Sequence, residues 1–214
     1  PLISFENVMP TYQILKALFR VEKDLHIDPK HMMVISPDEG ALNRNIYYAT
    51  MLGLNLGMFY KRRDYTTVVD GRNPIIAHEY LGDDVAGKDV FIADDLISTG
   101  DSMLDVAREL KKRKARRIYV GVTFAFFTNG LDLFNKAYEE GLITKVLSTN
   151  LTYRSPELKA APWFTEVDMS KYISYLIASL NYDHSISHLL NPYDRIQNLL
   201  TRYRAEQEAA GLWK

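Results

Sequence analysis

Val90-Phe91-Ile92-Ala93-Asp94-Asp95-Leu96-Ile97-Ser98-Thr99-Gly100-Asp101-Ser102 begins as an unbroken apolar run and ends as a turn of small hydroxyl residues. The run Val90 to Ala93 reads as a buried strand, and Ser102 to Lys112 as the helix that follows. Between them lies a pair of carboxylates. Backbone amides of Ser98 to Ser102 at a helix N-terminus, with the hydroxyls of Ser98, Thr99 and Ser102, form a cradle for a dianionic phosphate. Asp94 and Asp95, one strand-step behind, can accept hydrogen bonds from vicinal sugar hydroxyls or hold a magnesium ion that accompanies a diphosphate. A lone Asp or Ser here would read as an ordinary helix cap. Two consecutive acids after a buried strand are harder to explain that way, because burying them costs stability unless they are paired.

The same strand, polar turn, helix unit recurs on either side. Thr11 to Leu25 places Ile14, Leu15, Leu18, Phe19 and Val21 at helical spacing, and Asp28-Pro29 stops the helix. Met32 to Ile35 is a short apolar strand, followed by the turn Ser36 to Gly40 and a helix over Leu42 to Leu52. A strand over Leu54 to Tyr60 leads into the polar stretch Lys61 to Asn73, expected to be a mobile loop, and then into a candidate strand at Ile75 to Leu81. Ile118 to Phe124 and Lys145 to Ser148 are further strands, and from Pro192 onward Ile196, Leu199, Leu200 and Tyr203 mark an amphipathic helix. The alternation predicts an α/β fold, with a mostly parallel sheet flanked by helices and ligands at the carboxyl ends of its strands. Residues 1–191 are expected to form this domain and 192–214 a C-terminal helical tail that could serve as a docking arm.

The composition narrows the field of functions. With 214 residues, 47% apolar and 25% charged, the chain is long enough for one sizeable core. The 26 basic and 27 acidic residues give a formal charge of −1, so nothing draws the whole chain to nucleic acid or an anionic membrane. There is no cysteine, which excludes disulfides and thiolate chemistry, and the five histidines show no metal-ligand spacing. No apolar run reaches the length of a transmembrane helix, and a cytoplasmic protein is expected. The start at Pro1 suggests a processed chain or a piece of a longer one.

Asp94-Asp95-Leu96-Ile97-Ser98-Thr99-Gly100-Asp101-Ser102 resembles the ribose-phosphate loop of the type I phosphoribosyltransferase fold. Asp101 stands where family members often have glycine, so its carboxylate must point away from a bound phosphate and only its amide is useful. Ile35-Ser36-Pro37-Asp38-Glu39-Gly40-Ala41-Leu42-Asn43-Arg44 resembles, more narrowly, a strand-to-helix turn of the ribose-phosphate pyrophosphokinases, with Ala41 in place of a second glycine. Read without the family, it is a Pro-Asp-Gly turn joining strand to helix. Lys61-Arg62-Arg63, alone a basic turn, resembles the start of that family's catalytic loop. Thr123, Thr128-Asn129-Gly130, Ser148-Thr149-Asn150 and Ile186 to Leu190 also match, so the resemblance runs from Met32 to Leu190. These later residues are expected to position the site rather than react.

The resemblance implies transfer of a diphosphoryl group from ATP to O1 of ribose 5-phosphate, with Mg2+ as cofactor and a homo-oligomeric assembly. It implies that Asp94 and Asp95 bind ribose hydroxyls, that Ser98, Thr99, Gly100, Asp101 and Ser102 hold the 5-phosphate, and that Gly40 and Arg44 serve the diphosphate. Asp38 would lie near metal or nucleotide, while Lys61 and Arg63 stabilise charge building on the β-phosphate and bridging oxygen. The family enzyme has two related domains in tandem, and this chain matches the second. The rivals are a phosphoribosyltransferase that salvages bases and a catalytically silent regulatory relative.

Two other signals are set aside. Gly82 to Asp89 nearly matches a Walker A spacing, but Asp89 replaces the Ser or Thr that holds magnesium and a strand follows instead of a helix. The basic run Lys111 to Arg117 sits at a helix C-terminus, where cations complement the dipole, and no aromatic residue interleaves it as nucleic-acid binding would favour.

Overall fold

A computed structural model describes residues 7–63 and 75–212, which build a seven-stranded sheet. Its strands are β1 (Met32–Ser36), β2 (Asn55–Arg63), β3 (Ile75–Leu81), β4 (Asp89–Ile97), β5 (Ile118–Ala125), β6 (Lys145–Thr149) and β7 (Phe164–Val167). The helices are α1 (Thr11–Val21), α2 (Leu42–Leu52), α3 (Asp101–Lys112), α4 (Asp132–Glu139), α5 (Pro156–Ala160), α6 (Ser170–Asn181), α7 (Ser187–Leu190) and α8 (Tyr193–Ala209). Across the sheet the order is β3-β2-β1-β4-β5-β6-β7, and the pairs are parallel except β2 with β3.

A strand buried on both faces needs apolar residues at every position, which is why β1 and the first half of β4 read as continuous runs. Met32, Val34, Phe91 and Ala93 point into one core layer, covered by α1, α2, α6, α7 and α8. Met33, Ile35, Val90 and Ile92 point into the other, covered by α3, α4 and α5. Helix α8 belongs to the first layer: Ile196, Leu200 and Tyr203 are buried there, and the Tyr203 ring stacks on Phe19 at 4.6 Å. Among the described residues no helix is long and apolar enough to cross a membrane.

The structure corrects the sequence reading at several places. Helix α1 ends at Val21, four residues before the predicted end at Leu25. Tertiary hydrogen bonds take over there: Tyr203 Oη donates to the Glu22 carbonyl and accepts from the Leu25 amide, and Gln207 Nε2 donates to the carbonyls of Lys23 and Leu25. Strand β2 continues through Lys61-Arg62-Arg63, which was read as the start of a loop, because antiparallel pairing with β3 satisfies its backbone without help from apolar side chains. The rest of that expected loop, residues 64–73, lies outside the described residues. Strand β7 was not expected. His26 and His31, without a recognisable ligand spacing, are brought together with Asp28 by the bend between α1 and β1.

Candidate functional site

From β1 the chain crosses to β2 on one side, and from β4 it crosses to β5 on the other. The two connections diverge at the carboxyl ends of adjacent strands, which opens a crevice where α/β sheets bind ligands. A cavity of about 390 Å3 occupies it. Asp38, Gly40, Ala41 and Arg44 line one wall, and Asp94, Asp95, Ser98, Thr99, Gly100 and Ser102 line the other. Every predicted binding residue except Asp101 therefore meets around a single cavity.

The β4 wall differs in detail from the sequence reading. Strand β4 runs on to Ile97, so Asp94 and Asp95 lie within it rather than after it, with Asp94 opposite Val122 of β5. Each acid is held by a local bond: Asp94 Oδ1 accepts the amide of Asp95, and Asp95 Oδ1 accepts the amide of Leu96. The loop Ser98–Gly100 is fastened from behind, since the amide of Thr128 donates to the Ser98 carbonyl at 3.0 Å. Gly100 caps α3 with φ of +98°, and a Cβ there would come within 2.2 Å of the Phe134 ring. Both the backbone angle and the space exclude a side chain. Asp101 is the exposed first residue of α3, and its amide reaches Thr99 Oγ1 at 3.4 Å.

The β1 wall is built by Asp38 and by a residue that sequence reasoning missed. Asp38 Oδ1 accepts the amide of Ala41, and its carbonyl accepts Ser36 Oγ, which closes the turn. Asn45, fully buried, then bolts the turn to β4: Nδ2 donates to the carbonyls of Ala41 and Ala93 at 2.9 and 2.7 Å, and Oδ1 accepts the Ala93 amide at 2.9 Å. Its signal was available, because Asn45 shares the inward face of α2 with Tyr48, Ala49 and Leu52, where a polar side chain must find partners. Arg44 is placed by the same helix against the acids, with Nη1 at 3.3 Å from Asp94 Oδ1 and Nη2 at 4.0 Å from Asp95 Oδ2.

Two carboxylates thus share one guanidinium, with the charge of Asp38 nearby. Burial lifts the Asp94 carboxyl to about 6, opposed in part by the Asp95 amide and reinforced by the negative charges of Asp95 and Asp38. The crevice floor therefore carries surplus negative charge near neutral pH, and the chemistry that relieves it is a cation or a set of hydroxyl donors.

Beyond this floor, β2 outruns β1. Ser36, the last residue of β1, pairs with Met58, so Lys61 lies three residues further along the same carboxyl edge, a rise of about 10 Å. The roles expected of the Lys61 and Arg63 side chains fall outside the described residues. Thr149 Oγ1 donates to the Thr123 carbonyl, and Asn150 ties the end of β6 to Asp168, Met169 and Ser170. A second cavity of about 440 Å3 shares Arg44, Asp94 and Asp95 with the first and is otherwise mostly apolar, with Tyr48, Phe124, Met169 and Leu176 in its lining.

The discarded motifs have structural employment. Asp89 accepts bonds from Arg116 and Arg117, and Gly82 and Gly87 shape the turn before β4 with φ of +148° and +74°.

The family model described as "Phosphoribosyl transferase domain" matches residues 5–138. Similar curated proteins include the ribose-phosphate pyrophosphokinase of Thermococcus kodakarensis, 38% identical over 129 residues that cover 59% of this chain and 44% of that protein. That of Mycoplasma genitalium is 32% identical over 178 residues, covering 83% and 49%. The solved phosphoribosylpyrophosphate synthetase from Mycobacterium smegmatis shares the fold, with a TM-score of 0.63 at 20% identity over 81% of this chain and 51% of that one. The chain spans about half the length of the curated relatives it matches.

Proposed function

The chain belongs to the phosphoribosyl transferase domain family, and from that premise we propose that it forms the ribose-5-phosphate-binding half of a ribose-phosphate diphosphokinase. The reaction moves the diphosphoryl group of ATP to O1 of ribose 5-phosphate, giving phosphoribosyl pyrophosphate and AMP. The observation that carries this reading is the crevice between β1 and β4, with amides and hydroxyls of Ser98 to Ser102 at one end and the undercompensated pair Asp94 and Asp95 on its floor. The names of the relatives support the choice of substrates.

Ser98, Thr99, Gly100 and Ser102 hold the 5-phosphate, with the amide rather than the carboxylate of Asp101. Asp94 and Asp95 accept hydrogen bonds from the ribose hydroxyls and so orient O1. Gly40 and neighbouring amides meet the diphosphate, and Arg44 lies between it and the acids. The donor set fits Mg2+, a hard cation that takes carboxylate oxygens, and Asp38 with the acidic floor would hold it; the ion supplies charge neutralisation along the diphosphate. Lys61 and Arg63 stabilise the charge that develops on the β-phosphate and bridging oxygen. A homo-oligomeric assembly with the half of the relatives not covered here would complete the adenine site.

One observation favours a second reading. The apolar cavity beside Asp94 and Asp95 has room for a heterocyclic base, as an enzyme consuming phosphoribosyl pyrophosphate would need. Calorimetric titration with ribose 5-phosphate in magnesium buffer, beside an Asp94→Asn/Asp95→Asn variant, tests the shared cradle: saturable binding that the variant loses is expected. A folded chain that ignores ribose 5-phosphate but binds phosphoribosyl pyrophosphate together with a base would move the assignment to salvage. Indifference to both sugars would leave a silent relative.

A further inference from the structure

At the amino ends of the strands, on the opposite edge of the sheet from the crevice, His26, Asp28 and His31 each offer a ligand atom within 4.8 Å of the others. The segment between α1 and β1 that carries them is not loose. Arg204 donates to the Ile27 carbonyl, Gln207 to that of Leu25, and Lys88 Nζ to that of Pro29 at 3.0 Å. Within it, Asp28 Oδ1 accepts the amides of Lys30 and His31 at 2.8 and 3.1 Å, and Oδ2 lies 2.8 Å from His31 Nδ1. The carboxylate is thereby fixed in orientation, and the His26 ring stands 5.1 Å from the His31 ring. Leu25 and Ile27, almost fully buried, anchor the backbone on both sides of His26.

We propose that His26, Asp28 and His31 form a binding site for a divalent transition-metal ion of the zinc class, separate from the magnesium chemistry of the crevice. Two imidazoles and a carboxylate with an open fourth position suit Zn2+, and imidazole nitrogen disfavours Mg2+. Ligand atoms of a tetrahedral zinc lie about 3.3 Å apart, so side-chain rotation closes the remaining gap while the tethered backbone stays. On binding, the proton on His31 Nδ1 moves to Nε2, which keeps the ring neutral, and metal bonds to Nδ1 and to the Asp28 carboxylate replace their hydrogen bond. Bound there, the ion clips the α1–β1 connection beneath α8, far from the reacting groups, so its effect falls on stability rather than turnover.

The test is calorimetric titration of the whole tag-free chain with ZnCl2, with MgCl2 as the contrasting ion, followed by thermal unfolding. One Zn2+ per chain is expected, with a Tm rise of about 5–10 °C at a concentration 100 times Kd. His26→Ala and His31→Ala should each weaken binding by about 100-fold, and Asp28→Asn by about 10–100-fold. Circular dichroism establishes that the variants are folded, and the milder His26→Gln serves if His26→Ala is not. Zinc binding that survives in the His26→Ala/His31→Ala double variant, or no saturable binding below millimolar Zn2+, overturns the proposal. None of these readouts depends on the crevice or its substrate.

Discussion

Strand β4 carries acidic side chains at both ends, and the fold treats them in opposite ways. At the amino end Asp89, 1% exposed, is gripped by Arg116 through Nε and Nη2 and by Arg117 through Nε and Nη2. Arg117 also bonds Asp24 at 2.8 Å. Burial alone would lift the Asp89 carboxyl, but the guanidinium hydrogen bonds override it and hold the group below its ordinary value. At the carboxyl end Asp94 and Asp95 have only Arg44 within ion-pair distance among the described residues, and Asp94 is pushed up to about 6. The first acid is satisfied by the protein and serves the fold. The second pair, Asp94 partly buried and Asp95 exposed, has a single shared counter-charge, which leaves it available to a ligand.

The largest test of this contrast is Asp89→Ala. It strands two guanidinium groups, both partly exposed, and should lower stability by about 3 kcal/mol in urea unfolding at pH 7. Below pH 4 the difference should narrow, since the contribution of a carboxyl with a depressed pKa is present above its unfolded value and is lost as it protonates. A loss under about 1 kcal/mol would mean that the two ends are not treated differently.

Gly100→Ala comes next. A positive φ and the Phe134 ring oppose the new methyl group, so a loss of about 2–3 kcal/mol is expected, with ribose 5-phosphate binding reduced beyond what unfolding explains. Full binding in a destabilised variant would detach the loop from the phosphate.

The smallest effect has the opposite sign. For Asp94 the folded-state pKa is raised, so between about pH 4 and pH 6 the native state holds more protons than the unfolded chain and stability falls as pH rises through that window. Asp94→Asn should therefore stabilise the ligand-free protein by about 1 kcal/mol at pH 7.5, discounted for solvent screening and the lost Arg44 contact, and confer no gain near pH 4. Urea titrations across that range would measure it. Destabilisation at pH 7.5 would show that Arg44 already neutralises the site.

Much of this arrangement was legible in the sequence. Short apolar runs such as Met32 to Ile35 and Val90 to Ala93, each ended by a polar turn, read as strands buried on both faces, and a parallel sheet puts the turns after them at one edge. The placement of the Ser36 to Gly40 and Asp94 to Ser102 loops at that edge follows from it, while the choice of Asp38 and Gly40 within the first of them comes from the family resemblance. What failed rests on long-range pairing. The early end of α1 depends on Tyr203 and Gln207, some 180 residues away, and the passage of β2 through Lys61-Arg62-Arg63 depends on β3. Arg44 was assigned to the diphosphate, but its distance to Asp94 is set by the packing of α2 on β4 through Asn45. Four-residue β7 is too short for its own periodicity to declare it.

Trp163 has no exposed surface, donates Nε1–H to Asn135 at 2.8 Å and stands 5.3 Å from the ring of Phe134, the same ring that leaves no room for a side chain at Gly100. The chain holds one other tryptophan, Trp213. With Trp213 replaced by phenylalanine, the fluorescence of a single indole would issue from two side chains behind the Ser98–Gly100 loop, blue-shifted by its dry surroundings. Occupancy of the crevice then becomes an optical quantity, carried by Phe134, without a label on the protein or the sugar.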